Sequence, residues 1–457
     1  MMLPDVPLLE IFHFYTDRGD DDDDIEAWHT LVHVCRKWRL IVFGSPRRLD
    51  LRLLCDDRTP VEEMLHIWPP FPIVIWSYCT DAWSVDDIVA ALEHNNRIRQ
   101  LDLESIMGSE FEKILAVMQR PFPALKCLRI YSPDKELPGV PASFLGGSAP
   151  RLQVLYLEGI PFPGLPQLLL SATQLVHLDI RGIPHSGFIS PDTMVDTLSG
   201  LTMLGTLIIG SNFSDSSQGG DRPDWKRRRP PLLKRAVLTV LTKFVFRGVD
   251  EYLEDFVARI DVPLLNKLDI TFFHPPILDT PQLIQFICRT PKFKPGDKAY
   301  VELSDWEISV TLPQTPSGRL SLGIGDSSTQ PDWQLSSLVH VCRSFFPHTF
   351  ISPVEHLDIL EEAYSELNCL DDIESSQWLD LLRQFSAVKD LHITRKIAPH
   401  IARALRELVE ERVTEVLPAL QILVFEEPEV VRETIGPFIT ARRLADHPIS
   451  ISRWEIE

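Results

Sequence analysis

Basic charge is scarce in this sequence. Only 45 of its 457 residues are Lys or Arg, against 65 Asp or Glu, and the formal net charge is −20 at pH 7. A nucleic-acid binder presents a basic face, and an anionic membrane surface attracts the same charge; the balance argues against both partners. Paired cysteine is also missing. The 7 cysteines are scattered with no Cys-x-x-Cys, which argues against a disulfide framework or a zinc knuckle and reads as reduced thiols used as small core residues. No apolar run approaches the ~20 residues that span a bilayer. The acidic, proline-bearing start lacks the basic region of a secretory signal, so a soluble intracellular protein of the cytoplasm or nucleus is expected. Catalytic signatures are absent as well: there is no Gly-x-Ser-x-Gly elbow, His-Glu-x-x-His, phosphate loop or complete dinucleotide fingerprint. No catalytic residue, metal or cofactor is expected.

What the chain does have is a crowded beginning. Leu8, Leu9, Ile11, Phe12 and Phe14, then Leu31, Val32, Val34, Trp38, Ile41, Val42 and Phe43, recur at spacings of three and four, as in amphipathic helices. A hairpin so short has too little volume to hide them all. Leu3-Pro4, the apolar stretch Leu8 to Phe12 and Val34-Cys35-Arg36-Lys37-Trp38-Arg39 together resemble the F-box, and the continuation is similar to F-box proteins of mushroom-forming fungi. The resemblance implies a module at 1–50 that docks on a Skp-type adaptor and through it a cullin scaffold, with Leu3, Pro4, Leu8, Leu9, Ile11, Phe12, Leu31, Val34, Cys35 and Trp38 forming or supporting the adaptor face. The run Asp20 to Asp24 departs from the family's short turn. It lacks the alternation and internal Gly of a calcium loop and reads as a solvated acidic loop.

After a connecting segment at 51–83, with a strand expected from Ile73 to Tyr78, one phrase keeps returning: apolar-x-x-apolar-x-apolar. It occurs as IRQLDL, LKCLRI, LQVLYL, LVHLDI, LGTLII, LTKFVF, LNKLDI, VEHLDI, VKDLHI and LQILVF. Most neighbouring copies are roughly 23–37 residues apart, the range of irregular leucine-rich repeats. Many of the 37 prolines stand just upstream of an apolar element, punctuating short elements. The expected class is α/β (α+β overall): a helical module followed by a repeat array at 84–457, its parallel strands lining a curve. Residues 280–350 break the pattern, and AYVEL, WEISVTL and RLSLGIG read as consecutive strands without helices. The usual post-strand Asn or Cys is replaced by Ile106, Ile160 and Ile183, and only Asn212 fits.

Strand side chains alternate, so the residues around each phrase's middle apolar position face the inside of the curve. These are Asp102, Arg129, Tyr156, His177, Asp179, Asp269, His356, Asp358 and His392. They read either as a polar surface that keeps the strands solvated or as a face for an unknown protein target. Lys226 to Arg229, in a polar loop, reads as an exposed run, a nuclear-import signal or a contact for an acidic partner. The resemblance to the F-box family implies a substrate receptor of a ubiquitin ligase. The alternatives are a repeat scaffold capped by its helical start, with no role in ubiquitin transfer, and an enzyme with an unrecognised site.

Overall fold

The computed structural model describes residues 4–16, 27–55, 61–77, 85–134, 137–211, 235–273, 280–314, 318–325, 331–344, 348–362, 370, 373–408 and 410–453. Leu3, the Asp20 to Asp24 run, Asn212 and the Lys226 to Arg229 run lie outside them. The chain divides into two compact units, residues 1–189 with 200–204 and residues 190–199 with 205–457.

The first unit opens with three helices, α1 (Asp5–Thr16), α2 (Ala27–Val34) and α3 (Arg36–Gly44). Strands β1 (Leu53–Cys55), β2 (Ile73–Ser77), β3 (Ile98–Leu103), β4 (Cys127–Tyr131), β5 (Val154–Glu158) and β6 (His177–Ile183) follow. Each pairs with the next in parallel. The sheet therefore starts at Leu53, inside the stretch 51–83 expected to be a connector, and α4 (Val61–Ile67) links its first two strands. Leu8, Phe12, Trp28, Leu31, Val32 and Val42 share one core with Leu49, Leu51, Leu53, Met64 and Phe71.

The second unit carries β7 (Thr206–Ser211), β9 (Lys243–Gly248) and β11 (Lys267–Phe272), again parallel in sequence order. The short β8 (Ala236–Val237) and β10 (Ile260–Asp261) pair apart from them. The order then reverses. Strands β12 (Lys298–Leu303), β13 (Glu307–Gln314) and β14 (Gly318–Gly325) form an antiparallel meander. Within it β14 lies beside β11 and β12 beside β15 (His356–Glu361). The expectation of consecutive strands is met, with helices Pro281–Arg289 and Pro331–Ser344 flanking them inside 280–350. Parallel order resumes through β16 (Asp390–Ile393), β17 (Ile422–Phe425) and β18 (Ser450–Arg453).

All ten repeat phrases fall on strands. Their fourth residues, from Leu101 through Leu128, Leu155 and Leu178 to Leu391 and Leu423, are fully buried. Several helices behind them begin with proline at the first or second position, among them those starting at Pro191, Pro281 and Pro428. There a missing N–H costs nothing. Each unit thus has a mixed α/β repeat fold of the leucine-rich-repeat type: mostly parallel strands, apolar on the helix side, with a second face left to polar residues.

Candidate functional site

In the helical start, burial divides residues that look alike in sequence. Leu8 and Phe12, four apart on α1, point into the core, as does Leu31 on α2. Trp38 is half-buried, its ring 4.8 Å from that of Phe12. Leu9 is also half-buried, and Pro4, Val34 and Cys35 are exposed. Ile11 remains 51% exposed and Phe14 81%. Val6 and Leu40, not singled out by sequence, are exposed too. Val6, Leu9, Leu40 and Ile41 line a groove of about 330 Å³ between α1 and α3, next to an ion pair of Lys37 with Asp5 at 2.9 Å. Three expected adaptor residues, Leu8, Phe12 and Leu31, thus hold the hairpin together in the free chain. Beneath, Trp28 donates its indole N–H to the Arg52 carbonyl at 3.0 Å, and His29 stacks on Trp68. Burial, with the neighbouring His33, pulls the His29 imidazole down to about 4, so it is neutral at pH 7.

On the open face of the first unit, Trp76, Asp102, Arg129, Tyr156 and Asp179 form one row across β2 to β6. Their charges are matched in place. Arg129 Nη1 donates to Asp102 at 3.0 Å. Asp179, only 3% exposed, accepts two bonds from Arg181 at 2.9 and 2.8 Å. The Arg181 guanidinium lies 5.6 Å from the Tyr156 ring centre, and Tyr156 donates its hydroxyl to Glu158. Burial and the Glu158 acceptor push the Tyr156 phenol up. His177 reaches Asp179 at 3.8 Å.

In the second unit the expected residues separate into two groups. His356 pairs with Asp390 at 2.8 Å and His392 with Asp358 at 3.2 Å, on adjacent rows of β15 and β16. Burial raises the Asp358 carboxyl. Asp269 lies elsewhere, at a cavity of about 360 Å³ over β9, β11 and the meander. Asp269, Glu302, Glu307, Glu361 and Glu362 line it with Arg247 and Arg319. Arg319 pairs with Glu302 at 3.5 Å. Glu307 accepts a bond from the Thr271 hydroxyl at 3.0 Å. Burial first, then the charge of Asp269, pushes the Glu307 carboxyl up against the opposing pulls of Arg247, Thr271 and Arg319. Among the described residues, no group of three or more His, Cys, Asp or Glu is placed to hold a metal ion.

Sequence reasoning found Asp269 but missed Glu307 and Arg181. Arg181 could have been found, since it stands two residues after Asp179 on the same strand face. Glu307 could not, because its proximity to Asp269 depends on the reversed strand order.

No protein-family model matches the chain, and no curated protein matches it. Among solved structures, the chain is similar to the leucine-rich repeat-containing protein LegL7 of Legionella pneumophila, at 12% identity over 84% of this chain and 98% of that one, with a TM-score of 0.31. It is also similar to the complex of Rad7 and Elc1 in yeast, at 13% identity over 92% of this chain and 88% of that one, with a TM-score of 0.30. Likenesses of this size carry no functional argument.

Proposed function

We propose that the chain is a substrate receptor of a Skp–cullin–F-box type ubiquitin ligase. The helical start binds the adaptor, the adaptor ties the chain to a cullin, and the repeat array holds a protein target. One observation carries this reading: the hairpin with the F-box-like motif buries Leu8, Phe12, Trp28 and Leu31 yet leaves Val6, Ile11, Phe14, Val34 and Leu40 exposed. Isolated surface leucines are ordinary, but apolar residues concentrated on one small element mark an interaction surface. The role requires no catalytic residue in this chain. Holding a target near a ubiquitin-charged enzyme raises local concentration and makes transfer effectively intramolecular.

A second reading has its own observation. The hairpin core continues into Leu49, Leu51, Leu53 and Phe71, so the helices also cover the first strand of the sheet, and repeat arrays require caps. Co-purification with a Skp-type adaptor separates the two. The parent chain captures the adaptor if the receptor reading holds. Ile11→Asp combined with Val34→Asp then reduces capture at least tenfold while the melting temperature stays within a degree or two, because both side chains are exposed. A correctly folded parent that captures no adaptor leaves the cap as the hairpin's role.

A further inference from the structure

The cavity of the second unit forms where the chain departs from its own repeat. Reversing β12, β13 and β14 sets the small polar residues Ser321 and Thr311 in register with Asp269, where the first unit's row continues with charged and aromatic residues. Ser309, which lines the cavity, faces Gly323, and Thr311 faces Ser321 in the next register position of β13 and β14. The Thr311 and Ser321 hydroxyls are 2.9 Å apart. Gly323 makes room for the carboxylate beside it, since a Cβ there would fall 2.2 Å from Glu307 Oε1. With Ser304 and Ser309, five carboxylates and two guanidiniums line the cavity. The walls are not all charged, for the half-buried Leu360 also lines the space. In the turn between the lining residues Ser304 and Glu307, Trp306 is left 64% exposed.

These features suit one kind of guest. A cavity of about 360 Å³ is at the small end of ligand pockets, roughly 300–1,000 Å³, and accommodates one long side chain. Carboxylates crowded in a partly desolvated site gain from an arriving cation, whose charge offsets the cost of their burial and their mutual repulsion. Lys and Arg bring a methylene stem for apolar walls, and an exposed indole attracts a cationic head. We propose that this cavity receives a lysine or arginine side chain presented by a protein target, its charged head among Asp269, Glu302 and Glu307 and its stem against Leu360. The proposal rests on reading the array as the target-holding part of a receptor and names the chemistry that part selects.

The probe is a fluorescein-labelled Gly-Ser peptide bearing one arginine, compared with twins in which citrulline or glutamate replaces it, titrated into the full chain and followed by anisotropy. The arginine peptide should bind at least tenfold tighter than the citrulline twin. Glu302→Gln with Glu307→Gln should remove most of that preference. Arg247→Gln, which deletes a competing cation, should tighten binding several-fold, a gain that misfolding does not produce. Equal binding of arginine and citrulline, preference for glutamate, or no change with Arg247→Gln each overturns the proposal. Adaptor capture is measured on the same preparation. Capture without peptide preference removes only the cavity assignment, whereas peptide preference without capture removes only the link to ubiquitin.

Discussion

Asp102 and Asp179 in the first unit and Asp269 in the second occupy the same place in the repeat phrase, yet they meet different surroundings. In the first unit the strands are parallel and in sequence order, so each charged residue has a neighbour one strand away at the same height. Asp102 finds Arg129, and Asp179 finds Arg181 two residues along its own strand. In the second unit the meander sets β14, not the next repeat, beside Asp269 and places Ser321 opposite it. The carboxylates there gather around a cavity with too few guanidiniums to match them. Regular stacking neutralises a polar face. An interruption in the stacking leaves charge available to a partner.

The largest effect expected from testing this contrast is on the regular side. Gly159, just after β5, has a φ of +73°, and a Cβ there would lie 2.3 Å from the Ser132 carbonyl oxygen. That carbonyl belongs to a backbone already fixed, because Ser132 N donates to Glu158 O at 3.1 Å and Gly159 N to Arg181 O at 3.0 Å. Left-handed backbone costs an L-residue ~1–2 kcal/mol, and overpacking adds a similar amount. Gly159→Ala should lower stability by about 3 kcal/mol, read from the urea midpoint at unchanged slope. At Gly323 the clash is with the tip of a carboxylate, which can turn away, so Gly323→Ala should cost about 1 kcal/mol. Equal costs would mean that both units tolerate intrusion alike.

A smaller effect is expected from unpairing the regular face. Hydrogen bonds to charged groups contribute ~1.5–3 kcal/mol, but the Arg181 side chain is 42% exposed and water screens part of that. Asp179→Asn should therefore lower stability by about 1 kcal/mol. A double-mutant cycle with Arg181→Gln isolates the pair. A coupling energy indistinguishable from zero would remove the pair as a reason for the matched face.

The array was readable because its signal is dense. Each phrase places apolar residues two apart on the helix side of a strand, and all ten phrases fall on strands. The rows were readable too, since Asp102, Arg129 and Tyr156 hold equivalent positions and parallel pairing in order aligns them. Two things were not legible. On α1, apolar residues occupy nearly every side, so periodicity gives no inward face and cannot separate Phe12 from Ile11. In the meander, WEISVTL reads as a strand, but alternation does not say which strand it joins. Only the reversed order brings Glu307 near Asp269, and with it the cavity. Local pattern thus specifies elements, whereas the site depends on a place where chain order and spatial order disagree.

The smallest expected effect comes from the interrupted side and has the opposite sign. The Glu307 carboxyl is raised above its ordinary value of 4.5 by burial and by Asp269. The folded chain therefore holds a proton there more tightly than the unfolded chain. Its contribution to stability is full below 4.5 and is lost as pH rises through the folded value; above 4.5 the group therefore lowers stability relative to a neutral side chain. Glu307→Gln keeps an oxygen to accept the Thr271 bond and removes the charge. The variant should melt slightly higher than the parent at pH 7, and the difference should shrink toward zero as the pH is lowered below 4.5. A control at Asp179, whose charge is matched by Arg181, has the reverse outcome, with Asp179→Asn melting lower at pH 7. If Glu307→Gln also melts lower at pH 7, the carboxylate is as well matched as Asp179, and the two open faces do not differ in the way their geometry indicates.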